Sequence, residues 1–349
     1  MVKRVLLSGG AGFIAHHIID LFLEKTDWEI VSLDRLDYSG NLNRLDSVVS
    51  KYPKETRKRV KVVWHDLKSE ITELTSNFIG HIDIVLHLAA SSHVDRSITH
   101  PMEFVFDNTV GTVNLLNYAR TLPNLERFIY FSTDEIFGVA PPGVDYRERD
   151  RYNSTNPYSA SKAAAEEFCV AYENTYKLPI FITHTMNVFG ERQHPEKFIP
   201  KVIRKIRDGE IITIHSDHTK TVPGSRFYIH AKDVAEAMYF LLHLSDEQKK
   251  IIYRPDFGGA KCPKFNVVGK EEIDNLQMVK FIAQAQKKLP RYEMVDFHTS
   301  RPGHDLRYAL DGSYMKSLGW EPRISLQERI KEVTEWSLAH PEWIEAAGE

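Results

Sequence analysis

Short runs of β-branched and aromatic residues alternate with amphipathic stretches from residue 3 to about 185, and this order constrains the chain more than any other feature. Such alternation builds parallel strands joined by crossover helices, because parallel neighbours need a connection long enough to span the sheet. The reading places strands at Arg4–Leu7, Glu29–Leu33, Val60–Val63, Asp83–His87, Phe128–Phe131 and Ile180–Thr183. Helices are expected over 13–25, 43–51, 68–79, 101–121 and 157–176. The fold class is therefore α/β, a doubly wound parallel sheet that binds ligands at the carboxyl ends of its strands.

Beyond Asn187 the alternation loosens, with a helix near 196–208, a strand at Ile211–His215 and a helix at 231–244. Residues 1–186 are read as the first domain and 187–349 mainly as a smaller α/β C-terminal lobe, some segments of which can return to the first. Asp217–Ser225 and Arg254–Lys264 lack periodicity and are expected as surface insertions.

A formal charge of −3 over 349 residues gives no bias toward nucleic acid or an anionic membrane. The two cysteines, Cys169 and Cys262, support neither a disulfide framework nor a zinc cluster. His215 and His218 have no accompanying ligand set, so no metal is expected. The N-terminal apolar run is too short for a signal peptide, and no apolar stretch reaches the roughly 18 residues of a membrane span. A cytoplasmic setting is expected.

VLLSGGAGFIAHHI places Gly9 and Gly12 after a strand and at the mouth of a helix, where backbone amides can approach a pyrophosphate. The sheet is then of the Rossmann type. Asp34 ends the second strand, where a carboxylate accepts ribose hydroxyls and repels a 2′-phosphate, which favours NAD over NADP. Arg35 counts the other way, since an arginine can pair with that phosphate. Asp66 and HLAA (87–90) offer further small or polar residues at strand ends.

In STNPYSASK, Asn156 is a good N-cap and Pro157 a good first helical residue, so Tyr158 and Lys162 fall one turn apart on one face. A tyrosine that accepts an alcohol proton must come down from about 10 toward neutrality, roughly 4 kcal/mol for three units. A lysine ammonium and a helix N-terminus favour the phenolate. With Ser132-Thr133 at an intervening strand end, the set matches short-chain dehydrogenases of the extended type.

FSTDEIFG raises a separate question, because a buried strand should not finish on two adjacent carboxylates, Asp134 and Glu135. Two acids held close in a partly dry cleft have split pKa values, so that one is an acid while the other is a base. Successive strand side chains point apart, so this reading requires the chain to leave extended geometry at or just after Thr133.

The chain resembles the nucleoside-diphosphate-sugar 4,6-dehydratases along almost its whole length. The similar segments are GGAGFIA (9–15), DYSGNL (37–42), HLAASSHVDRSI (87–98), NTVGTVNLL (108–116), STDEIFG (132–138), NPYSASKAAAE (156–166), HPEKFIP (194–200) and RPGHDLRYALD (301–311). The glycine loop and YxxxK belong to the wider superfamily, whereas the Thr-Asp-Glu, PEK and RPGHDxRYA segments point to sugar dehydratases.

The resemblance implies a reaction and a site. Bound NAD oxidises C4 of the hexose with Tyr158 as base, a base removes the acidified C5 proton, an acid protonates the departing C6 hydroxyl, and the hydride returns to C6. Asp134 matches the acid and Glu135 the base, with Thr133, Tyr158 and Lys162 completing the catalytic set. Implied NAD contacts are Gly9, Gly12, Phe13, Ile14, Asp34, Arg35, Asp37, Ser39, Gly40 and Asp66. Leu67, Leu88, Ala89, Ala90, Ser92, Thr109, Ser132 and Asn187 join them, with Tyr158 and Lys162. Ser92, Thr133, Asn187, Lys197, Arg226, Asn266, Arg301 and His304 are the implied substrate contacts. The implied substrate is dTDP-glucose first, UDP-glucose as an alternative, and the implied assembly is a homodimer through a four-helix bundle.

Departures from the pattern are Ala15 for a third glycine, Ser91 where an acid is common, Val188 where a second asparagine is common, and the two insertions. They leave the nucleotide base and the hexose open. A nucleotide-sugar epimerase or decarboxylase shares everything up to Thr133 but has no use for the acid pair; an NAD-binding regulator would need none of the chemistry.

Overall fold

The computed structural model describes residues 2–37, 39–253, 262–296 and 307–345. Seven parallel strands form the main sheet: β1 (Arg4–Ser8), β2 (Glu29–Asp34), β3 (Val60–Trp64), β4 (Ile84–His87), β5 (Arg127–Thr133), β6 (Ile180–Thr185) and an edge strand, Lys264–Val267. Their order is edge strand, β6, β5, β4, β1, β2, β3. Val5 of β1 is in register with Ile30 on one side and Ile84 on the other. The chain thus reverses its direction of growth between β1 and β4, and such a switch point opens a crevice above the carboxyl ends of the strands.

Because strand side chains alternate, β1 feeds two cores. Val5 and Leu7 pack with Ile18, Ile19 and Phe22 of the helix Phe13–Lys25 and with Val234 and Met238 of the helix Ala231–Leu242. Leu6 lies on the opposite face with Leu115 and Leu116 of the helix Gly111–Ala119 and with Ala165 and Cys169 of the helix Pro157–Tyr176. Burial on both faces explains why β1 reads as a continuous apolar run. A third core gathers Ile203, Met278, Ile282 and Ile330 from the helices Phe198–Asp208, Asn275–Ala285 and Leu326–Ala339, beside the parallel strands Ile211–Ser216 and Arg291–Asp296.

Three elements differ from the sequence expectation. The helix expected over 101–121 is interrupted: Pro101–Phe104 leads into a π-helical turn, Val105–Val110, before Gly111–Ala119. Such a turn inserts a residue into the helical ladder and re-aims side chains, which periodicity does not reveal. The helix expected over 68–79 forms only at Glu73–Ile79, where Thr72 caps it. The edge strand begins at Lys264, at the end of a segment read as an insertion, of which 254–261 lies outside the described residues. Among the described residues no helix is long and apolar enough to cross a membrane.

Candidate active site

The crevice at the switch point is a cleft of about 590 Å³. Its floor is the β1 turn. Gly9 has φ of +71°, and a Cβ there would lie 2.9 Å from the backbone of Ala89, so only glycine fits. At Gly12 a Cβ would meet the Gly9 carbonyl oxygen at 2.8 Å. Gly12 also opens the helix Phe13–Lys25 with no side-chain cap and no acid in the first turn, leaving its N-terminal amides for an anion. These features fit the diphosphate of a dinucleotide.

At the end of β2, Asp34 accepts from the amides of Ala11 at 3.0 Å and Leu36 at 2.8 Å, and burial raises its pKa. Asp37 accepts from Ser39 N at 2.9 Å and Ser39 Oγ at 2.7 Å, closing the loop that carries Gly40. Asp66, Leu67, Leu88, Ala89, Ala90, Ser92, Phe13, Ile14, Arg35 and Asn187 also line the cleft. Thr109 does not: its hydroxyl donates to the Ser161 carbonyl at 3.1 Å, because the π-helical turn directs it toward the neighbouring helix.

The question posed by the paired acids has a structural answer. β5 ends at Thr133, and Asp134–Phe137 form a single 3₁₀ turn capped by Thr133 Oγ1, which accepts from the Glu135 amide at 3.4 Å. The turn brings Asp134 and Glu135 into the same cleft as Thr133, Tyr158 and Lys162. Thr133 Oγ1 also donates to Asp134 Oδ1 at 3.1 Å. Asn156 holds the other acid. Its Oδ1 caps the helix Pro157–Tyr176 by accepting from the Ser159 amide at 2.8 Å, and its Nδ2 donates to Glu135 Oε2 at 3.2 Å. One side chain therefore fixes the helix start and the carboxylate together.

Burial pushes Asp134 up to about 6, and Thr133 and Arg226 offset only part of that. Burial, reinforced by the Asp134 charge, pushes Glu135 up to about 7. Burial brings Lys162 down to about 8, and its Nζ donates to the Phe131 carbonyl at 2.5 Å. Tyr158 runs against the sequence expectation. Burial and then the Glu135 carboxylate drive it well above the ordinary phenol range, and Lys162, turned to the strand backbone, does not counter them.

Lys197 and Arg226 line the cleft from the C-terminal part of the chain, the Arg226 guanidinium 5.4 Å from the Tyr308 ring centroid. Arg301 and His304 lie outside the described residues. Asn266 is corrected: it is fully buried in the edge strand, away from the cleft. Its Oδ1 meets His184 Nδ1 at 2.9 Å and its Nδ2 donates to the Tyr146 and Asp311 carbonyls, each at 3.0 Å. Asn275, at the start of the helix Asn275–Ala285, lines the cleft, as Asn187 does.

Sequence reasoning also missed what lies behind β5. Burial alone would raise Glu166, but His184 at 3.2 Å and Lys264 at 2.9 Å hold it far below the usual carboxylate range, and Tyr152 donates to it as well. Removing one partner from such a buried pair costs about 3–5 kcal/mol. Glu166 stands one turn beyond Lys162 on the same helix, so this anchor holds the helix that presents Tyr158 and Lys162.

A glycine-floored Rossmann crevice with Thr133, Tyr158 and Lys162 above it defines a short-chain dehydrogenase/reductase of the extended type. The family model described as GDP-mannose 4,6 dehydratase matches residues 6–333, and the chain belongs to this family. It is 36% identical over 340 residues to the dTDP-D-glucose 4,6-dehydratase of Mus musculus, covering 96% of this chain and 88% of the mouse protein. A trifunctional UDP-glucose 4,6-dehydratase, epimerase and reductase of Arabidopsis thaliana is 34% identical over 344 residues; 98% of this chain spans about half (48%) of the plant protein's length. The Streptomyces venezuelae dTDP-glucose 4,6-dehydratase, crystallised with NAD, superposes with a TM-score of 0.82 at 29% identity over 98% of this chain and 99% of that one.

Proposed function

We propose that the chain is an NAD-dependent nucleoside-diphosphate-hexose 4,6-dehydratase that converts an NDP-glucose, dTDP-glucose first and UDP-glucose second, to the 4-keto-6-deoxy sugar. The observation that carries this reading is the turn at Thr133, which puts two partly neutral carboxyls beside the Tyr158 hydroxyl. Epimerisation and decarboxylation after C4 oxidation leave such a pair without a task. Bound NAD supplies the oxidant at C4 and returns the same reducing equivalent at C6, so the net redox change is zero.

The remaining chemistry belongs to the chain. Tyr158, in the same cleft as Thr133, takes the C4 hydroxyl proton. Burial first, then the Glu135 and Asp134 charges, raise its pKa, so a neutral Asp134 removes the smallest of these effects. Glu135 removes the C5 proton and Asp134 protonates the C6 hydroxyl as it leaves. Lys197 and Arg226 suit the diphosphate, since an arginine fork donates two parallel hydrogen bonds to such an anion.

Incubation with a panel of nucleotide-activated hexoses is expected to yield one product lighter by a single water, carrying deuterium at C5 when made in deuterated water. A product of unchanged mass, an epimer, would sink the dehydratase reading.

The lobes are proposed to divide at 186/187, with Ala231–Leu242 and Lys264–Val267 serving the first. A homodimer is proposed through the helices 101–119 and 157–176, which expose Met102, Val105, Phe106 and Phe168 at 58%, 38%, 47% and 42%. Large exposed apolar side chains on two neighbouring helices suit such an interface. Sedimentation at micromolar concentration is expected to find twice the chain mass; monomer alone contradicts it. The proposed setting is the cytoplasm, as suits an enzyme using NAD and nucleotide sugars.

A further inference from the structure

Arg35 leaves β2 one residue after Asp34, where a guanidinium could serve a 2′-phosphate on the adenosine ribose. Its donors are already engaged. Nη1 and Nη2 donate to the two carboxylate oxygens of Asp107 at 2.6 and 2.9 Å, and Nε donates to Asp37 Oδ2 at 2.8 Å. Nη2 also lies 2.7 Å from Asp37 Oδ2, and Nη1 lies 3.8 Å from Asp66. A planar fork held bidentately on one side and by a second carboxylate on the other has no free edge for another oxyanion.

Asp107 reaches this position because it sits in the π-helical turn Val105–Val110. Its side chain is only 9% exposed, and Ser91 Oγ donates to its Oδ2 at 2.5 Å. The next residue, Asn108, clasps the Ser91 backbone, accepting from its amide at 2.8 Å and donating to its carbonyl at 3.0 Å. The carboxylate is therefore aimed by the turn and by the strand end beside it. The neighbouring cations are also occupied. Lys68 Nζ lies 3.4 Å from Asp66 and 3.9 Å from Asp107, and Arg44 donates to the carbonyls of Ser39 at 2.5 Å and Arg192 at 3.0 Å.

We infer that Asp107 sets the choice of cofactor: by pairing with Arg35 it withdraws that guanidinium from a 2′-phosphate and adds its own negative charge to the Asp34 end of the cleft. This rests on the reading of the cleft as an NAD site. Asp34 is the residue a sequence reader would hold responsible, and the structure assigns it a partner from a helix 73 residues further along the chain.

The test is a calorimetric titration of the full chain with NAD and with NADP, independent of turnover. Wild type is expected to prefer NAD. Asp107→Asn, which keeps the shape and removes the charge, is expected to narrow that preference by about tenfold or more, through a gain in NADP affinity. The charge-neutral double variant Arg35→Met/Asp107→Met is expected to return to the wild-type preference, because no freed guanidinium remains. An unchanged preference in a folded, NAD-binding Asp107→Asn protein overturns the inference. So does a double variant that binds NADP markedly more weakly than wild type, since Arg35 would then already have been serving the phosphate; that arm decides alone if the single variant does not fold. Absence of NAD binding by wild type is a different result, and it strikes the reading of the cleft itself.

Discussion

Glu135→Gln is expected to slow water elimination by about 10²–10⁴-fold while leaving oxidation at C4 in place, the range a positioned general base contributes. The amide keeps the length of the side chain and the contact to Asn156, so a loss reports the missing basicity and not a displaced turn. Rapid quenching and mass spectrometry should find the 4-keto sugar with its C6 hydroxyl intact, and C5 exchange with deuterated water should stop. Undiminished exchange removes Glu135 from the role.

The same residue carries the pH dependence. With Glu135 near 7 and Asp134 near 6, the working form, base ionised and acid protonated, is the minor one. Below about pH 6 the base is protonated, and above about pH 7 the acid is lost, so the rate of water elimination, which needs both, should trace a bell between them. At its peak roughly one molecule in twenty has the working protonation state if the two groups titrate independently. A rate that climbs to a plateau above pH 7 would show that Asp134 is not the proton donor.

Tyr158→Phe is expected to lower C4 oxidation, and every later step with it, by about 10³-fold. The ring contact to Phe104, centroids 6.3 Å apart and nearly perpendicular, survives the change, so folding and NAD affinity should hold. The hydroxyl lost is the one whose ionisation is opposed by burial and then by the Glu135 charge. Retained turnover would remove Tyr158 from the role of base, whereas biological activity left intact in a variant without turnover would leave the chain to a binding or regulatory role.

Much of this was legible in the sequence for physical reasons that act over a few residues. Glycines at 9 and 12 announce a turn that only they can make; Asn156-Pro157 announces a helix start; the alternation of apolar runs announces strands buried on both faces. From these follow the sheet, the glycine loop, the Tyr158–Lys162 pair and the requirement that the chain bend after Thr133.

What local rules did not reach are contacts whose partners are distant in sequence. The Arg35–Asp107 pair needs a π-helical turn that no periodicity shows. Asn266 reads as a cleft residue until its strand is seen to close the sheet edge against β6 and bury it against His184. Asn156 is a helix cap by sequence and a carboxylate holder only because β5 and the helix Pro157–Tyr176 pack together. Glu166 and Lys264, 98 residues apart, find each other in the core. Residue type and spacing determine which chemistry a chain can carry, since propensity and periodicity act locally. Which charges meet, and therefore which groups hold their protons, depends on packing between distant segments, and that was decided only by the tertiary structure.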